Sequence, residues 1–339
     1  IRAQAMIGLG RAHYTDKDHP SYAEWIKEAL KLLTPADYIL RAQAMITLGQ
    51  IHYQTDKNKF HHWFLEALNI LKFHNHPELK AQAMIGLGNA RYTNRTHKQD
   101  TEWYLDALNV LGDDGPCDLK ARAMIGLGNG QYDKPYHGSW FKKAFDLIKN
   151  TDKPRLKVQA LMGLGKTNCN KNSRIRYFSD ALAILDKHDD YNDLMLQAEI
   201  FLELGWTHSS AKSIEWFLKV LDICKKDTST HPVHPQAKIN LKVKALIGLG
   251  YADRGHDSRQ GTNWFLKALN LLEQGNNITL RTRALIGLGN VTSSKGKNDK
   301  ALCYYNEALD IAPNQRLRKK AKRGIEQASF FLEQRFKKR

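Results

Sequence analysis

The nine-residue string RAQAMIGLG, beginning at Arg2, returns seven times in altered form: RAQAMITLG at Arg41, KAQAMIGLG at Lys80, KARAMIGLG at Lys120, KVQALMGLG at Lys157, LQAEIFLELG at Leu196, KVKALIGLG at Lys242 and RTRALIGLG at Arg281. Between the closing glycines (Gly10, Gly49, Gly88, Gly128, Gly165, Gly205, Gly250, Gly289) the steps are 39, 39, 40, 37, 40, 45 and 39 residues. No other feature constrains the fold as tightly. A unit repeated at this period cannot bury its apolar face alone, so it must stack on its neighbours.

Each unit carries a second pattern, an aromatic pair followed by a small residue: Trp25-Ile26 with Ala29, Trp63-Phe64 with Ala67, Trp103-Tyr104 with Ala107, Trp140-Phe141 with Ala144. The pattern continues through Tyr177-Phe178 with Ala181, Trp216-Phe217 with Val220, Trp264-Phe265 with Ala268, and Tyr304-Tyr305 with Ala308. Apolar spacing such as Trp103, Ala107, Val110, Leu111 follows a period of 3.6 and not strand alternation, so each unit reads as helix, turn, helix. Gly, Pro, Asp and Ser in 112–117, 150–154 and 228–235 mark loops between units.

The eighth unit, ALIGLGNVTSSKGKNDKALCYYNEALDIAP from Ala284 to Pro313, resembles the tetratricopeptide family. Leu288-Gly289 match its first-helix signature, Ala301 and Ala308 its small residues, Tyr305 its aromatic and Pro313 its terminator. AQAMIGLGNARY in the third unit matches the first helix equally well. The resemblance implies an all-α fold, a right-handed α-solenoid of about eight helix-turn-helix repeats, with units near 1-39, 40-78, 79-118, 119-155, 156-195, 196-240, 241-279 and 280-314. The units exceed the family's usual ~34 residues because their loops are extended. The basic segment 315-339 is expected to form a solvating helix over the open end.

Glycine inside a helix costs about 0.5–1 kcal/mol relative to alanine and therefore needs a packing reason. Gly10 and its equivalents are expected to let paired helices approach. The second glycines (Gly8, Gly86, Gly126, Gly163, Gly248, Gly287) are expected to flatten the groove-facing side of the first helices, admitting a ligand or a neighbouring helix.

The resemblance also implies that the first helices line a concave groove. In the third unit Gln82, Ile85, Asn89 and Tyr92 share one helix face. The same columns elsewhere hold Gln43, Arg122, Glu199, Lys244 and Arg283, then Gln50, Asn129, Lys166 and Trp206, with a tyrosine ladder of Tyr14, Tyr53, Tyr92 and Tyr132. Amides beside aromatics suit an extended peptide, although repetition also follows from simple duplication of a unit. Unit six departs from the pattern: Glu199 and Glu203 lie one turn apart and Trp206 replaces an amide, either as an internal charge network or as a point of specificity.

Of the net charge of +17, ten Lys or Arg and two Glu place +8 within 316–339. RNA is therefore the alternative partner to a protein or peptide. The groove columns carry five cations (Arg11, Arg122, Lys166, Lys244, Arg283) against Glu199 and Glu203, which is sparse for tracking a phosphate backbone.

Other chemistry is poorly supported. Gly163-Leu164-Gly165-Lys166-Thr167 lacks the leading glycine and preceding strand of a phosphate loop. The pairs His61-His62, His74 with His76, and His231 with His234 have no recurrent ligand spacing, and four scattered cysteines form neither a disulfide framework nor a zinc site. No catalytic residue, metal or cofactor is assigned. The thiols point to a reducing cytoplasmic setting, and no apolar run is long enough to span a bilayer. An opening inside a repeat helix at Ile1 reads as the start of a fragment, which leaves a regulatory repeat region of a larger protein as a further reading. The oligomeric state is not encoded in these patterns.

Overall fold

A computed structural model of the protein describes residues 1–12, 21–55, 59–89, 97–130, 137–187, 191–208, 211–225, 235–253, 258–273 and 277–337. Among them are 17 α-helices and no strand. In chain order these are α1 (Arg2–Ala12), α2 (Ser21–Leu32), α3 (Tyr38–Thr55), α4 (Lys59–Leu71), α5 (Pro77–Asn89), α6 (His97–Leu111), α7 (Cys117–Gly130), α8 (His137–Ile148), α9 (Pro154–Thr167) and α10 (Lys171–Leu185). They continue as α11 (Tyr191–Thr207), α12 (Ala211–Lys225), α13 (Pro235–Ala252), α14 (Ser258–Glu273), α15 (Ile278–Ser294), α16 (Asn298–Ile311) and α17 (Gln315–Lys337). The odd-numbered helices up to α15 carry the glycine string and are called A helices; the even-numbered ones carry the aromatic pair and are called B helices.

The chain forms two compact units, one holding α1–α10 and the other α11–α17. In each, a B helix packs on its own A helix and on the next, and successive A helices also touch. In the second unit α17 packs on α16 and α15.

Local chemistry places the helix ends. Pro77, Pro154 and Pro235 open α5, α9 and α13, where the missing N–H would have no intrahelical partner. Asn170, Asn277 and Asn314 cap α10, α15 and α17, their side-chain oxygens accepting from the backbone N–H of Ser173, Leu280 and Leu317 at 3.0, 3.1 and 3.0 Å. At the end of α6, Gly112 adopts a φ of 58° and donates its N–H to the carbonyl of Leu108, a left-handed stop that glycine enters without a Cβ penalty.

The core is a series of buried rings. Phe64, Tyr104, Phe141, Phe217, Phe265 and Tyr305 are all nearly or fully buried, each followed at i+3 by a buried Ala or Val. Each ring lies between two glycines, one on its own A helix and one on the next. Phe64 is held by Gly49 and Gly86, Tyr104 by Gly88 and Gly126, and Phe141 by Gly128 and Gly163. In the second unit Phe217 is held by Gly205 and Gly248, Phe265 by Gly250 and Gly287, and Tyr305 by Gly289 and Gly324. A Cβ at any of these glycines would fall under 3.0 Å from ring carbons.

The second glycines thus admit a neighbouring helix, as one of the two expectations had it, but on a face other than the expected groove side. Gly86, Gly126, Gly163, Gly248 and Gly287 face the ring of the preceding B helix, not the groove. Burying each ring contributes about 1.5–3 kcal/mol, which outweighs the glycine's helix penalty of about 0.5–1 kcal/mol. Register explains one exception. At the ring position of α2 stands Ile26, and at the matching glycine position of α3 stands Thr47, both buried, so a smaller aliphatic is matched by a larger socket residue.

Half-buried tryptophans border the rings. Trp63 and Trp103 pack against the core between α3, α4 and α5, while Lys143, Lys219 and Lys267 lie 4.7, 4.3 and 4.7 Å over Trp140, Trp216 and Trp264, one turn along the same helices.

Candidate functional site

The faces of the A helices not occupied by rings and alanines are polar and accessible, and on them lie the groove residues named from sequence. In α3 Gln43 and Gln50 lie on one helix face with the buried Ile46 and Thr47, at spacings of three, one and three, and all four line the side toward α5. Pro77, Glu78, Leu79 and Gln82 of α5 answer them across a cleft of about 410 Å³, which Ile39 and His76 also line. That volume lies within the range of small-ligand sites, about 300–1,000 Å³. Three of the residues expected from the sequence, Gln43, Gln50 and Gln82, are thus brought to one place.

The chemistry of the cleft is mainly neutral and amphipathic. Thr47 donates its hydroxyl to the carbonyl of Gln43 at 2.8 Å, so the polar presentation falls to the three glutamines, each with donors and an acceptor. The Tyr38 ring stacks on His74 with centroids 3.7 Å apart and planes 8° from parallel, and its hydroxyl lies 3.4 Å from Nε2 of His76. Glu78 supplies the one charge among the lining residues. Thr47, His76 and Glu78 were not singled out as groove residues. The His74 and His76 pair was visible as a cluster, but its role beside a tyrosine depends on contact across the sequence from Tyr38.

Elsewhere in the first unit the columns are occupied differently. Asn89 is exposed, yet its Oδ1 accepts a hydrogen bond from the Tyr104 hydroxyl at 2.8 Å. Arg122 is exposed and lies 3.9 Å from the carboxylate of Asp118, one turn earlier. Asn129 and Lys166 are exposed on α7 and α9. Tyr14, Tyr92 and Tyr132 lie outside the described residues, and Tyr53 belongs to α3 without a described side chain.

The second unit assembles another cluster on its A helices. Trp206 of α11 and Tyr251 of α13 have ring centroids 6.1 Å apart, and the guanidinium of Arg283 on α15 lies 5.9 Å from the Trp206 ring. The Tyr251 hydroxyl donates to the Arg283 carbonyl at 3.4 Å. Trp206 remains 39% exposed, with Glu199, Lys244 and Arg283 exposed in the neighbouring column and Glu203 half-buried. The Tyr305 hydroxyl repeats the tyrosine–asparagine bond with Asn290 at 2.8 Å.

No protein-family model and no curated protein matches the sequence. Solved structures do. The apo form of the quorum sensor NprR from B. thuringiensis superposes with a TM-score of 0.65 at 14% identity, over 91% of this chain and 87% of that one. A Rap protein complexed with competence and sporulation factor gives 0.61 at 10% identity over 99% of both chains. Yeast Tom70 gives 0.50 at 16% identity; all but 1% of this chain is covered, but only 65% of Tom70, a little under two thirds. At these identities the likeness concerns the fold. The glycine-flanked rings, the paired helices and these superpositions together show that the chain has the tetratricopeptide-type helical-repeat fold.

Proposed function

We propose that the protein is a non-catalytic interaction scaffold that binds an extended peptide segment of a partner along the A-helix face of its first unit. The observation that carries this reading is the cleft between α3 and α5, where Gln43, Gln50 and Gln82 surround about 410 Å³ bordered by Ile39, Ile46 and Leu79. A peptide backbone presents N–H and C=O groups in alternation, and glutamine side chains can pair with both; the aliphatic border takes an apolar side chain. The fold is shared with NprR, a structure of which holds its cognate peptide NprX. In the second unit the exposed Trp206 beside Tyr251 and Arg283 offers a stacking surface with a cation, suited to a further stretch of a partner.

The test is selection of peptides from a random library on the full chain, followed by affinity measurement on the triple variant Gln43→Ala, Gln50→Ala, Gln82→Ala. Each neutral hydrogen bond contributes about 0.5–1.5 kcal/mol, so selected peptides should lose roughly tenfold or more in affinity while the helical melting curve is unchanged. If no peptide is selected, or if the variant binds selected peptides equally well, the reading fails.

A further inference from the structure

The last helix carries two features that both work against a free helix in water. Arg316, Arg318, Lys319, Lys320, Lys322 and Arg323 place six cations within eight residues of α17, all of them exposed. Among the described residues none of the six makes an ion pair, and the first turn holds no acid. Positive charge at a helix N-terminus opposes the helix dipole and neighbouring cations repel, so the arrangement lowers the helix's own stability. Further along, the consecutive residues Phe330 and Phe331 are 56% and 55% exposed, with rings 6.0 Å apart. Two adjacent exposed rings are a second expense that scaffold packing does not explain.

Both features lie on the exposed surface of α17, outside its packing face. Leu317, Ala321 and Ala328 are buried toward the rest of the second unit. Arg316, Lys320, Arg323 and Phe330 follow one another at steps of four, three and seven, with Phe331 flanking, and form an exposed stripe about 21 Å long beside that packing face.

We infer that this outer face of α17 is a docking surface for an anionic lipid bilayer, with the cations against acidic headgroups and the Phe330 and Phe331 rings at the acyl boundary. Charge complementarity requires an anionic occupant, and the spacing selects among anions. Arg323 and Phe330 are seven residues, about 10 Å, apart along the axis, so the six clustered cations and the pair of rings do not alternate; Arg335 follows the rings. A single-stranded nucleic acid stacks successive bases on rings while its backbone tracks cations alongside them, an arrangement that calls for interleaving. A membrane is a plane whose headgroups are present everywhere, so cations and rings can be separated along one helix lying on it. No helix among the described residues is long and apolar enough to cross a membrane, so the contact is with the surface.

Flotation of the full chain with vesicles of phosphatidylcholine, with and without phosphatidylserine, tests the assignment. Binding should require phosphatidylserine and be released by high salt. Each cation near an anionic surface adds roughly fivefold in affinity, so Arg316→Glu, Lys320→Glu and Arg323→Glu together should weaken binding roughly a hundredfold or more. Phe330→Ser with Phe331→Ser should weaken it while keeping the salt dependence, and Lys320→Arg should bind as the parent does. Circular dichroism melting should show no loss of stability in any variant, because these side chains are exposed and the Glu substitutions relieve repulsion near the helix N-terminus. Binding that ignores phosphatidylserine, or that survives both multiple variants, overturns the inference. So does capture of single-stranded RNA dependent on Phe330 and Phe331 with no capture of vesicles.

Discussion

The hydroxyl of Tyr104 donates a 2.8 Å hydrogen bond to Oδ1 of Asn89, tying a buried B-helix ring to an exposed A-helix position. The same bond joins Tyr305 to Asn290 fifteen residues away. At two of the phenylalanine rings, Phe217 and Phe265, the corresponding A-helix residue is Trp206 or Tyr251, packed edge-on at 5.2 Å. The column therefore has a structural duty as well as an exposed edge. Asn89→Ala should remove the bond from the Tyr104 side and cost about 1–3 kcal/mol, whereas Tyr104→Phe, which removes only the hydroxyl, should cost about 1 kcal/mol or less. Urea unfolding of the two variants gives the comparison; equal costs would mean that water readily replaces Asn89.

The rings impose a sharper condition on the glycines. Gly86→Ala and Gly126→Ala each drive a methyl into Phe64 or Tyr104, and destabilisation of about 1–3 kcal/mol is expected, read as a lowered melting temperature. Nothing lies within 4 Å of a Cβ at Gly8, so Gly8→Ala should be neutral or stabilising by up to about 1 kcal/mol. The pairing of Ile26 with Thr47 adds a rescue: Gly86→Thr should be tolerated better together with Phe64→Ile than alone.

Helix α16 starts without side-chain help, since Lys297 at its N-cap makes no capping bond. Lys297→Asp supplies an acceptor and removes a cation from the helix N-terminus, for a gain of about 0.5–2 kcal/mol in thermal unfolding.

Thiol chemistry should separate the four cysteines. Cys117, Cys169 and Cys303 are exposed, while Cys224 is buried on α12, where loss of solvent raises its thiol pKa against the weaker opposing influence of Lys238 and Lys242. Because the thiolate is the reactive form, a maleimide at neutral pH should label three sites rapidly and Cys224 only on unfolding. Mass spectrometry of the native and denatured chain reads this directly.

The helical-repeat architecture was legible because the string ending Leu-Gly and the aromatic pair recur at a period no other fold explains. The destination of the second glycine was not. A residue without a side chain carries no polarity with which to mark its face, and only the position of Phe64 shows which surface Gly86 meets. Gln43, Gln50 and Gln82 could be grouped from helical spacing because they lie on neighbouring A helices in equivalent columns. Glu78 and His76 could not, since they enter the cleft from the start of α5 and the turn before it, outside any column. The division into two compact units also left no signature in the periodicity, because the A-helix string continues through both, with Thr47 and Glu203 as the two replacements of a glycine.

Since six of the rings are each seated by one glycine before them and another after them in the chain, the joint between those pairs is the same part reused. Excising α5 and α6 would bring Phe64 opposite Gly126, a partner equivalent to the one it lost, and the shortened array should close without a hole. Excising α3 and α4 would set Ile26 against Gly86 and leave a void where a ring belongs. Modularity in this protein is therefore a property of the joint, and a chain built from its parts would inherit order only where every ring finds an empty seat.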